Sequence, residues 1–247
     1  MKTVRRVPAL LVCLLSLLVL AWPASAAEKI RVLVFSGGHE FDTNQFLQLF
    51  QDNPDVSFAA FTHPKAHAQL RPEAARNYDV LVLYDMWQDI TDEAKADFVA
   101  FLKSGKGLVS LHHSIANYQT WPEYRKIVGG RYYLQKTIVE GVEKPRSIWK
   151  HDVEFQVRVV DERHPVTRGV KDFVIHDETY GLFDMAPESH ALLQTDEPTS
   201  AKNIGWAKTH EGARVVYLQL GHDHLAYENP NYRKLVAQAI RWTAKRD

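Results

Sequence analysis

The 247-residue sequence is nearly free of cysteine, and its single one, Cys13, lies in an apolar segment near the start of the chain. Residues 1–26 combine a basic start, an apolar run over residues 7–22 and the small-residue sequence Ala24-Ser25-Ala26. This pattern predicts a cleaved secretory signal peptide, and the apolar run is short for a membrane anchor. A mature chain from Ala27 would have no cysteine, which excludes disulfides, thiolate metal ligands and a cysteine nucleophile. We therefore expect a periplasmic or secreted protein with no stable membrane anchor.

The sequence also lacks an excess of basic charge. The whole chain has 30 basic and 30 acidic residues, and three of the basic ones precede residue 27. The predicted mature chain therefore has 27 basic and 30 acidic residues, a net charge of −3 with histidine neutral. No stripe of lysine and arginine is present, so we do not expect nucleic acid as a partner. No repeat, low-complexity stretch or linker interrupts residues 27–247, which are expected to form a single α/β domain.

Apolar runs alternate with helical patterns in the first half of the chain. The pattern predicts strands at residues 30–35, 56–61, 78–84 and 108–111, and an amphipathic helix at residues 91–104. This β-α-β order predicts a parallel, doubly wound sheet. The second half differs, because residues 153–159 alternate strictly and indicate a half-exposed edge or antiparallel strand. Further elements are predicted at residues 191–194, 204–208 and 214–220 for strands and 232–243 for a closing helix.

The glycine-rich turn after the first predicted strand lacks both the G-x-G-x-x-G and the P-loop pattern, so we expect no nucleotide cofactor. Histidines instead follow the ends of three predicted strands. Because the carboxyl ends of parallel strands meet at one edge of a sheet, these side chains are expected to converge on one crevice. The histidines are His39, His112, His113, His222 and His224, and a segment interpreted as a polar loop adds His176, Asp177 and Glu178.

Such a cluster is compatible with three kinds of site. Neutral imidazoles bind transition metals and carry protons near neutral pH. A set of histidines and a carboxylate with an open position is the usual catalytic metal arrangement. The sequence has no H-E-x-x-H pair, so a metal site, metal-free acid–base chemistry and a purely structural cluster all remain open. Four other histidines lie apart from these clusters in the sequence and are interpreted as surface residues: His63, His67, His190 and His210.

Four short motifs occur in a characteristic order, with residues 161–167 between the second and the third. They are Gly38-His39-Glu40-Phe41, Leu111-His112-His113-Ser114, His176-Asp177-Glu178-Thr179-Tyr180 and Gly221-His222-Asp223. From about residue 30 to residue 243 the chain resembles the ThuA-like (trehalose utilisation) family. The resemblance implies the class I glutamine amidotransferase-like fold. That fold is a flavodoxin-like three-layer α/β/α sandwich with a mainly parallel sheet, and here antiparallel additions are expected in the second half.

In the amidotransferases, a cysteine occupies the sharp turn after a strand and a histidine follows a late strand. The resemblance assigns these places to His112 or His113 and to His222. Without a cysteine at the turn, and with Ser114 one or two positions too late, no amidotransferase activity is expected.

The resemblance further implies a role in the uptake and breakdown of disaccharides, including routes through 3-keto sugars. We therefore expect an exported enzyme that acts on a sugar or keto-sugar, its small-molecule partner, by metal-assisted acid–base chemistry. The expected cofactor is a divalent transition metal, zinc before others. Two alternatives are a non-catalytic periplasmic carbohydrate-binding or accessory protein and a metal-dependent hydrolase of another substrate class.

Roles are assigned to the clustered residues on this basis. The expected metal ligands are His39, His113, His222 and Glu178. The expected catalytic residues are His112, His113, His176, Asp177, Glu178 and His222. Within this set, Asp177 and Glu178 are candidates for the base, and His176 for orienting them.

Overall fold

A computed structural model describes residues 28–247 and, isolated near the start of the chain, Thr3. The signal peptide predicted for residues 1–26 therefore lies outside the described residues, apart from Thr3. Among the helices of residues 28–247, none combines the length and the apolar character that crossing a membrane requires.

Residues 28–247 form thirteen strands, six α-helices and two 3-10 turns, the turns at His67–Leu70 and His112–Ala116. The first strands are β1 (Ile30–Gly37), β2 (Val56–Thr62), β3 (Val80–Asp85), β4 (Gly107–Leu111), β5 (Gly130–Arg131), β6 (Thr137–Val139) and β7 (Val142–Lys144). The later strands are β8 (Ile148–Val159), β9 (Phe173–Gly181), β10 (Asp184–Met185), β11 (His190–Gln194), β12 (Asn203–His210) and β13 (Ala213–Leu218). The helices are α1 (Thr43–Gln51), α2 (Pro72–Ala75), α3 (Asp92–Lys103), α4 (Pro122–Val128), α5 (His224–Glu228) and α6 (Pro230–Thr243).

Nine of these strands form one sheet in the order β2-β1-β3-β4-β13-β12-β11-β8-β9. The five strands from β2 to β13 pair in parallel. The four from β12 to β9 continue the sheet with antiparallel pairings. The predicted α/β class, with a parallel first half and antiparallel additions, is confirmed. The four predicted strands of the first half match the observed bounds to within two residues.

Helices cover both faces of the sheet because its central strands are apolar on both sides. Along β1, Val32 and Val34 belong to one buried cluster together with α1 and α6. Leu33 and Phe35 belong to another, together with α3. A residue of this size contributes about 1.5 to 3 kcal/mol when it is fully buried. The alternation of β1 thus produces a core on each face, as a three-layer sandwich requires.

Helix α3 shows how local sequence signals set an element of this sandwich. The Thr91 hydroxyl accepts a hydrogen bond from the Ala94 amide at 3.2 Å and caps the helix. The negative charge of Asp92 in the first turn interacts favourably with the positive end of the helix dipole and stabilises the helix. The apolar stripe that includes Phe98 and Leu102 is buried against the sheet.

The polar segment at residues 176–178 is not a loop, as its sequence indicated, but part of β9. The prediction was wrong because Asp177 to Gly181 are all buried, so the two-residue alternation that marks a half-exposed strand is missing there. The partner strand β8 begins at Ile148, five residues before the predicted start. A bulge between Lys150 and Val153, with Asp152 at φ 56°, interrupts the alternation of β8 at this point.

The turn after β4 is the most constrained of the strand exits. His112 follows the last residue of β4 and has φ 48°, a left-handed conformation that costs a non-glycine residue on the order of 1 kcal/mol. Ser114 Oγ lies 2.6 Å from Ser110 Oγ, within the 3-10 turn that His112 begins. His112 is therefore the residue at the sharp turn, the position that the sequence left open between His112 and His113.

Candidate functional site

Three segments meet at the carboxyl edge of the parallel strands. Strand β13 runs parallel to β4, with Leu218 opposite Leu111, so the segments that follow these strands lie side by side. The first of them begins with His112 and the second contains Gly221 and His222. The buried half of β9 brings Glu178 against both. The expected convergence of histidines and a carboxylate at this edge is therefore present in the structure.

His112 is fully buried and has both ring nitrogens engaged. Its Nδ1 lies 2.6 Å from the Gln219 carbonyl oxygen, which can only accept, so Nδ1 carries a hydrogen and donates it. Its Nε2 lies 3.0 Å from Glu178 Oε2 and 2.8 Å from the Tyr180 hydroxyl. The Tyr180 hydroxyl also lies 3.1 Å from Glu178 Oε2. The backbone of Gln219 thus fixes the ring so that Nε2 faces the carboxylate.

Burial and charge oppose each other in this pair. Burial works against the charged form of His112, but the hydrogen bond and the charge of Glu178 outweigh it, so the pKa of His112 is raised. Burial would raise the pKa of Glu178, yet the hydrogen bond from His112 and the charge of His112 lower it. Without a bound cation, the two groups therefore form an imidazolium–carboxylate pair.

The loop that carries His222 is held rigidly from both sides. The Asp177 carboxylate accepts the Gly221 amide at 2.7 Å and the His222 amide at 2.9 Å. On the carbonyl side, the Tyr84 hydroxyl donates to Gly221 at 2.8 Å, and the Tyr227 hydroxyl donates to His222 at 2.9 Å. Asp177 therefore positions the loop and does not face the cleft as a base. Its burial raises its pKa to about 6, against the opposing effect of these amides.

His112, Glu178 and His222 form the one set of metal-donor side chains found in residues 28–247. A ligand atom from each lies within 4.8 Å of the others. Two imidazoles and a carboxylate suit zinc and similar ions. The Nδ1–H of His112 on the Gln219 carbonyl is the second interaction that metal-binding histidines usually make. The set shares His222 and Glu178 with the predicted ligands but contains His112 in place of His39 and His113.

His39 and His113 line the cleft next to this set. Their rings stack with centroids 5.2 Å apart, and the His39 ring lies 5.7 Å from that of His222. His113 Nε2 and His39 Nδ1 are both buried without a hydrogen-bond partner. Burial, together with the charges of His112 and His39, lowers the pKa of His113 well below its usual value. His113 is therefore a neutral imidazole with a free ring nitrogen.

The cleft contains about 620 Å³ of open space, part of it continuous with solvent. Trp87 and Trp149 both line it and are 58% and 53% exposed, although they are large apolar side chains. Exposed aromatic faces of this kind stack on sugar rings and other flat ligands. His151 lies between the rim and the floor: its ring is 4.5 Å from that of Trp149, and its Nδ1 is 3.4 Å from Glu178 Oε1.

Besides Asp177, two further predicted residues, His176 and His224, lie away from the cleft. His176 is half-exposed on the other side of β9, and its Nε2 lies 3.7 Å from Asp152 Oδ1, so it cannot orient Asp177 or Glu178. The side chains of a strand alternate between faces, which separates His176 from Asp177. His224 lies at the start of α5, where its Nδ1 bonds Asp42 Oδ2 at 2.8 Å on the surface.

Sequence reasoning missed several groups that form the site. Trp149 and His151 are two residues apart on β8 and project to the same face, a signal hidden by the late predicted start of that strand. Tyr180 lies in one of the four motifs but is not among the predicted catalytic residues or metal ligands. Gln219 contributes its backbone carbonyl, which a sequence pattern cannot reveal.

A second cluster, formed by His63, His67, Asp85 and Tyr118, lies at the exits of β2 and β3. His63 Nε2 is 2.7 Å from Asp85 Oδ2, and the Tyr118 hydroxyl donates to the same oxygen at 3.2 Å. His67 Nε2 lies 2.9 Å from the Tyr118 hydroxyl. The prediction that His63 and His67 are surface residues was wrong, because Asp85, the last residue of β3, gives His63 a buried partner.

Comparisons with known proteins agree with this architecture. The sequence matches the model of the family described as ThuA, trehalose utilisation, over residues 31–243. A ThuA-like protein from Parabacteroides merdae superposes with a TM-score of 0.74 at 17% identity, over 88% of this chain and 90% of that one. A ThuA-like protein from Bacteroides uniformis superposes with a TM-score of 0.67 at 20% identity, over 90% of this chain and 95% of that one.

A glutamine amidotransferase from Thermotoga maritima has a TM-score of 0.51 at 13% identity, over 88% of this chain and 99% of that one. No curated protein matches the chain. The structural likenesses show the fold alone, and they agree with the predicted amidotransferase-like architecture.

Proposed function

Because the chain belongs to the ThuA family, whose description is trehalose utilisation, we propose that it is an enzyme that acts on a keto-sugar by acid–base chemistry. The observation that carries this proposal is the meeting of two kinds of group in one cleft. His39, His113 and Glu178 line the cleft, Glu178 being shared with the metal-donor set, and two exposed tryptophans form its rim.

A divalent transition metal, zinc by the chemistry of the donors, is part of the proposal. His112, Glu178 and His222 would hold it. When bound, such an ion polarises a carbonyl oxygen and so makes the protons on the adjacent carbon more acidic. Binding would displace the proton shared by His112 and Glu178, which makes affinity for the metal fall as the pH is lowered.

His113 is the proposed proton acceptor. Its Nε2 is free, and the lowered pKa keeps the ring neutral at physiological pH, so it can take a proton from the carbon next to the carbonyl. His151 is half-exposed at the mouth of the cleft. The Tyr180 hydroxyl stays protonated, because burial raises its pKa well above the usual value, and it donates its hydrogen to Glu178 Oε2.

Deuterium exchange tests this proposal most simply. A 3-keto-glucoside is incubated with the mature protein and zinc in heavy water, and proton NMR follows loss of the signals next to the carbonyl. The His113→Gln variant should abolish exchange and leave sugar binding in place, whereas His190→Gln, on the surface, should exchange like the wild type. Tight binding without any exchange would refute the enzyme and favour the non-catalytic carbohydrate-binding alternative.

Export is a separate proposal. It rests on the pattern of residues 1–26 and on the absence of cysteine after Cys13. Sequencing the amino terminus of the protein recovered from a bacterial periplasm should give Ala27 as the first residue. A protein retained in the cytoplasm with its first 26 residues intact would contradict export.

A further inference from the structure

Arg146 differs from the other cationic side chains on its side of the cleft. It lies between β7 and β8, three residues before Trp149, and lines the cleft. The neighbouring cations are paired: Lys144 Nζ lies 3.0 Å and Arg125 Nη2 lies 3.5 Å from the carboxylate of Asp184. Arg146 is exposed, and within residues 28–247 its guanidinium has neither an ion pair nor a hydrogen bond.

The acidic groups of the cleft do not compensate this charge. Among the described residues that line the cleft, Glu178 is the sole carboxylate. Its oxygens already face His112 at 3.0 Å and His151 at 3.4 Å. A cation bound to Glu178 would neutralise the remaining negative charge of this carboxylate. The cleft therefore offers an uncompensated positive charge at Arg146, which favours the approach of an anion.

The positive charge of Arg146 also influences a hydroxyl group that lines the cleft. The hydroxyl of Tyr132, another lining residue, has a pKa raised to about 12 by burial and by the charge of Glu178, and the charge of Arg146 opposes this shift. The guanidinium thus lies within electrostatic reach of the same hydroxyl as Glu178. Trp149, on the strand that follows Arg146, supplies an aromatic face at the rim. Charge and aromatic surface therefore belong to one wall of the cleft.

We propose that the sugar bound in this cleft carries an anionic group, a carboxylate or a phosphate, and that Arg146 pairs with it while Trp149 stacks on the ring. The inference rests on the proposed function only in taking a sugar as the ligand, and it does not depend on the reaction. A guanidinium matches the two oxygens of a carboxylate or phosphate with two parallel hydrogen bonds. A neutral sugar needs no such partner. Arg146 is thereby a specificity-determining residue.

Calorimetry with three probes tests the inference: glucose, glucuronate and glucose 6-phosphate, each titrated into the mature protein at low salt. One of the anionic sugars should bind at least about tenfold more tightly than glucose, since a charge-assisted pair is worth more than a neutral one. The stronger of the two identifies the anion as carboxylate or phosphate.

Variants at one position then assign the effect to Arg146. Arg146→Gln should weaken binding of the preferred anion by about tenfold and leave glucose within about twofold, because only the ion pair is removed. Arg146→Lys should restore part of the loss, since it keeps the charge without the planar fork. The matched control is Arg163→Gln, in an exposed loop outside the cleft, which should bind like the wild type.

Two results would overturn the inference. The first is the absence of any preference for the anionic sugars, whether the probes bind equally or none binds. The second is an anion preference that survives in Arg146→Gln. A protein that prefers the anionic sugar through Arg146 but exchanges no deuterium would instead contradict the proposed reaction and leave this inference standing.

Discussion

Two clusters of histidine and carboxylate lie at the same edge of the sheet, and they use their ring nitrogens differently. In the second cluster, the Nε2 atoms of His63 and His67 bond Asp85 and Tyr118. At the cleft, His113 Nε2 and His39 Nδ1 are buried without a partner. The same residue types thus hold the fold together in one place and leave free hydrogen-bonding atoms in the other.

The difference lies in what each cluster faces. The second cluster ties the exits of β2 and β3 to Tyr118, in the loop before α4. The cleft groups face an open volume rimmed by Trp87 and Trp149. A buried polar group that lacks a partner costs on the order of 1 to 3 kcal/mol. In the second cluster the atom without a partner is Asp85 Oδ1, whereas at the cleft the atoms without partners are imidazole nitrogens of residues that line the open volume. We therefore expect variants of the two clusters to separate activity from stability.

The largest effect is expected at Glu178. Glu178→Gln keeps the shape of the side chain but removes the charge that pairs with His112, and should lower kcat/KM by about a thousandfold or more, about 4 kcal/mol in the barrier. The melting temperature should fall less than in the variant that removes His63, because glutamine keeps an oxygen that can accept a hydrogen bond from His112. The matched control is Glu154→Gln, exposed on β8, which should behave as the wild type in both assays. Equal activity of the two variants would remove Glu178 from the site.

The second cluster should show the reverse behaviour. His63→Ala leaves the buried Asp85 carboxylate without its closest partner and should lower the free energy of unfolding by roughly 3 to 5 kcal/mol. His190→Ala removes an equivalent but exposed pair with Asp161 and should cost less than about 1 kcal/mol. Urea unfolding measures both. Equal losses in the two variants would show that burial does not decide the role of these histidines.

The pH dependence of stability sharpens the comparison at His67. Burial, helped by the charge of His63, lowers its pKa to about 4, from 6.5 in the unfolded chain. Protonation therefore favours the unfolded state, and the contribution of His67 to stability is lost as the pH falls from 6.5 towards 4. With an allowance for partial exposure we expect a loss of about 1 to 2 kcal/mol.

Unfolding free energies of the wild type and His67→Gln at successive pH values isolate this contribution, because other histidines titrate in both proteins. The variant should lose less stability over this window. Parallel curves for the two proteins would mean that His67 does not titrate as its buried position requires.

The smallest effect is expected at the rim of the cleft. Trp149→Ala removes an aromatic face and should raise KM by up to about tenfold with kcat nearly unchanged, since stacking on an aromatic ring is worth about 0.5 to 1.5 kcal/mol. The neighbouring Ile148→Ala also removes an exposed apolar side chain, but one that does not line the cleft, and should leave KM unchanged. A fall in kcat with constant KM would show that Trp149 does not act in binding.

The same contrast explains how far sequence reasoning reaches. The apolar runs and turn residues of the parallel half predict the sheet, and the parallel order predicts that His112 and His222 meet. Prediction from the sequence fails where a strand is buried on both faces, or where the hydrogen-bond partner of a side chain is distant in the sequence. Residues 176–178 show no alternation, and His63 finds Asp85 only through the pairing of strands.

The choice between His112 and His113 depends on a single backbone angle. With φ 48° at His112, that ring points toward Gln219 and Glu178, and His113 is left to line the cleft. No pattern of residue types specifies this angle, because the two candidate residues, His112 and His113, are both histidine. The expected metal set therefore named His39 and His113 where the structure has His112.

The measurement that tests the central claim most directly is zinc content by elemental analysis of the mature, untagged protein. The wild type and His67→Gln should each bind about one equivalent, and His222→Ala should lose it, because among residues 28–247 only the set of His112, Glu178 and His222 provides three converging donors. Zinc that is retained in His222→Ala, or lost in His67→Gln, would contradict the assignment of the site to His112, Glu178 and His222.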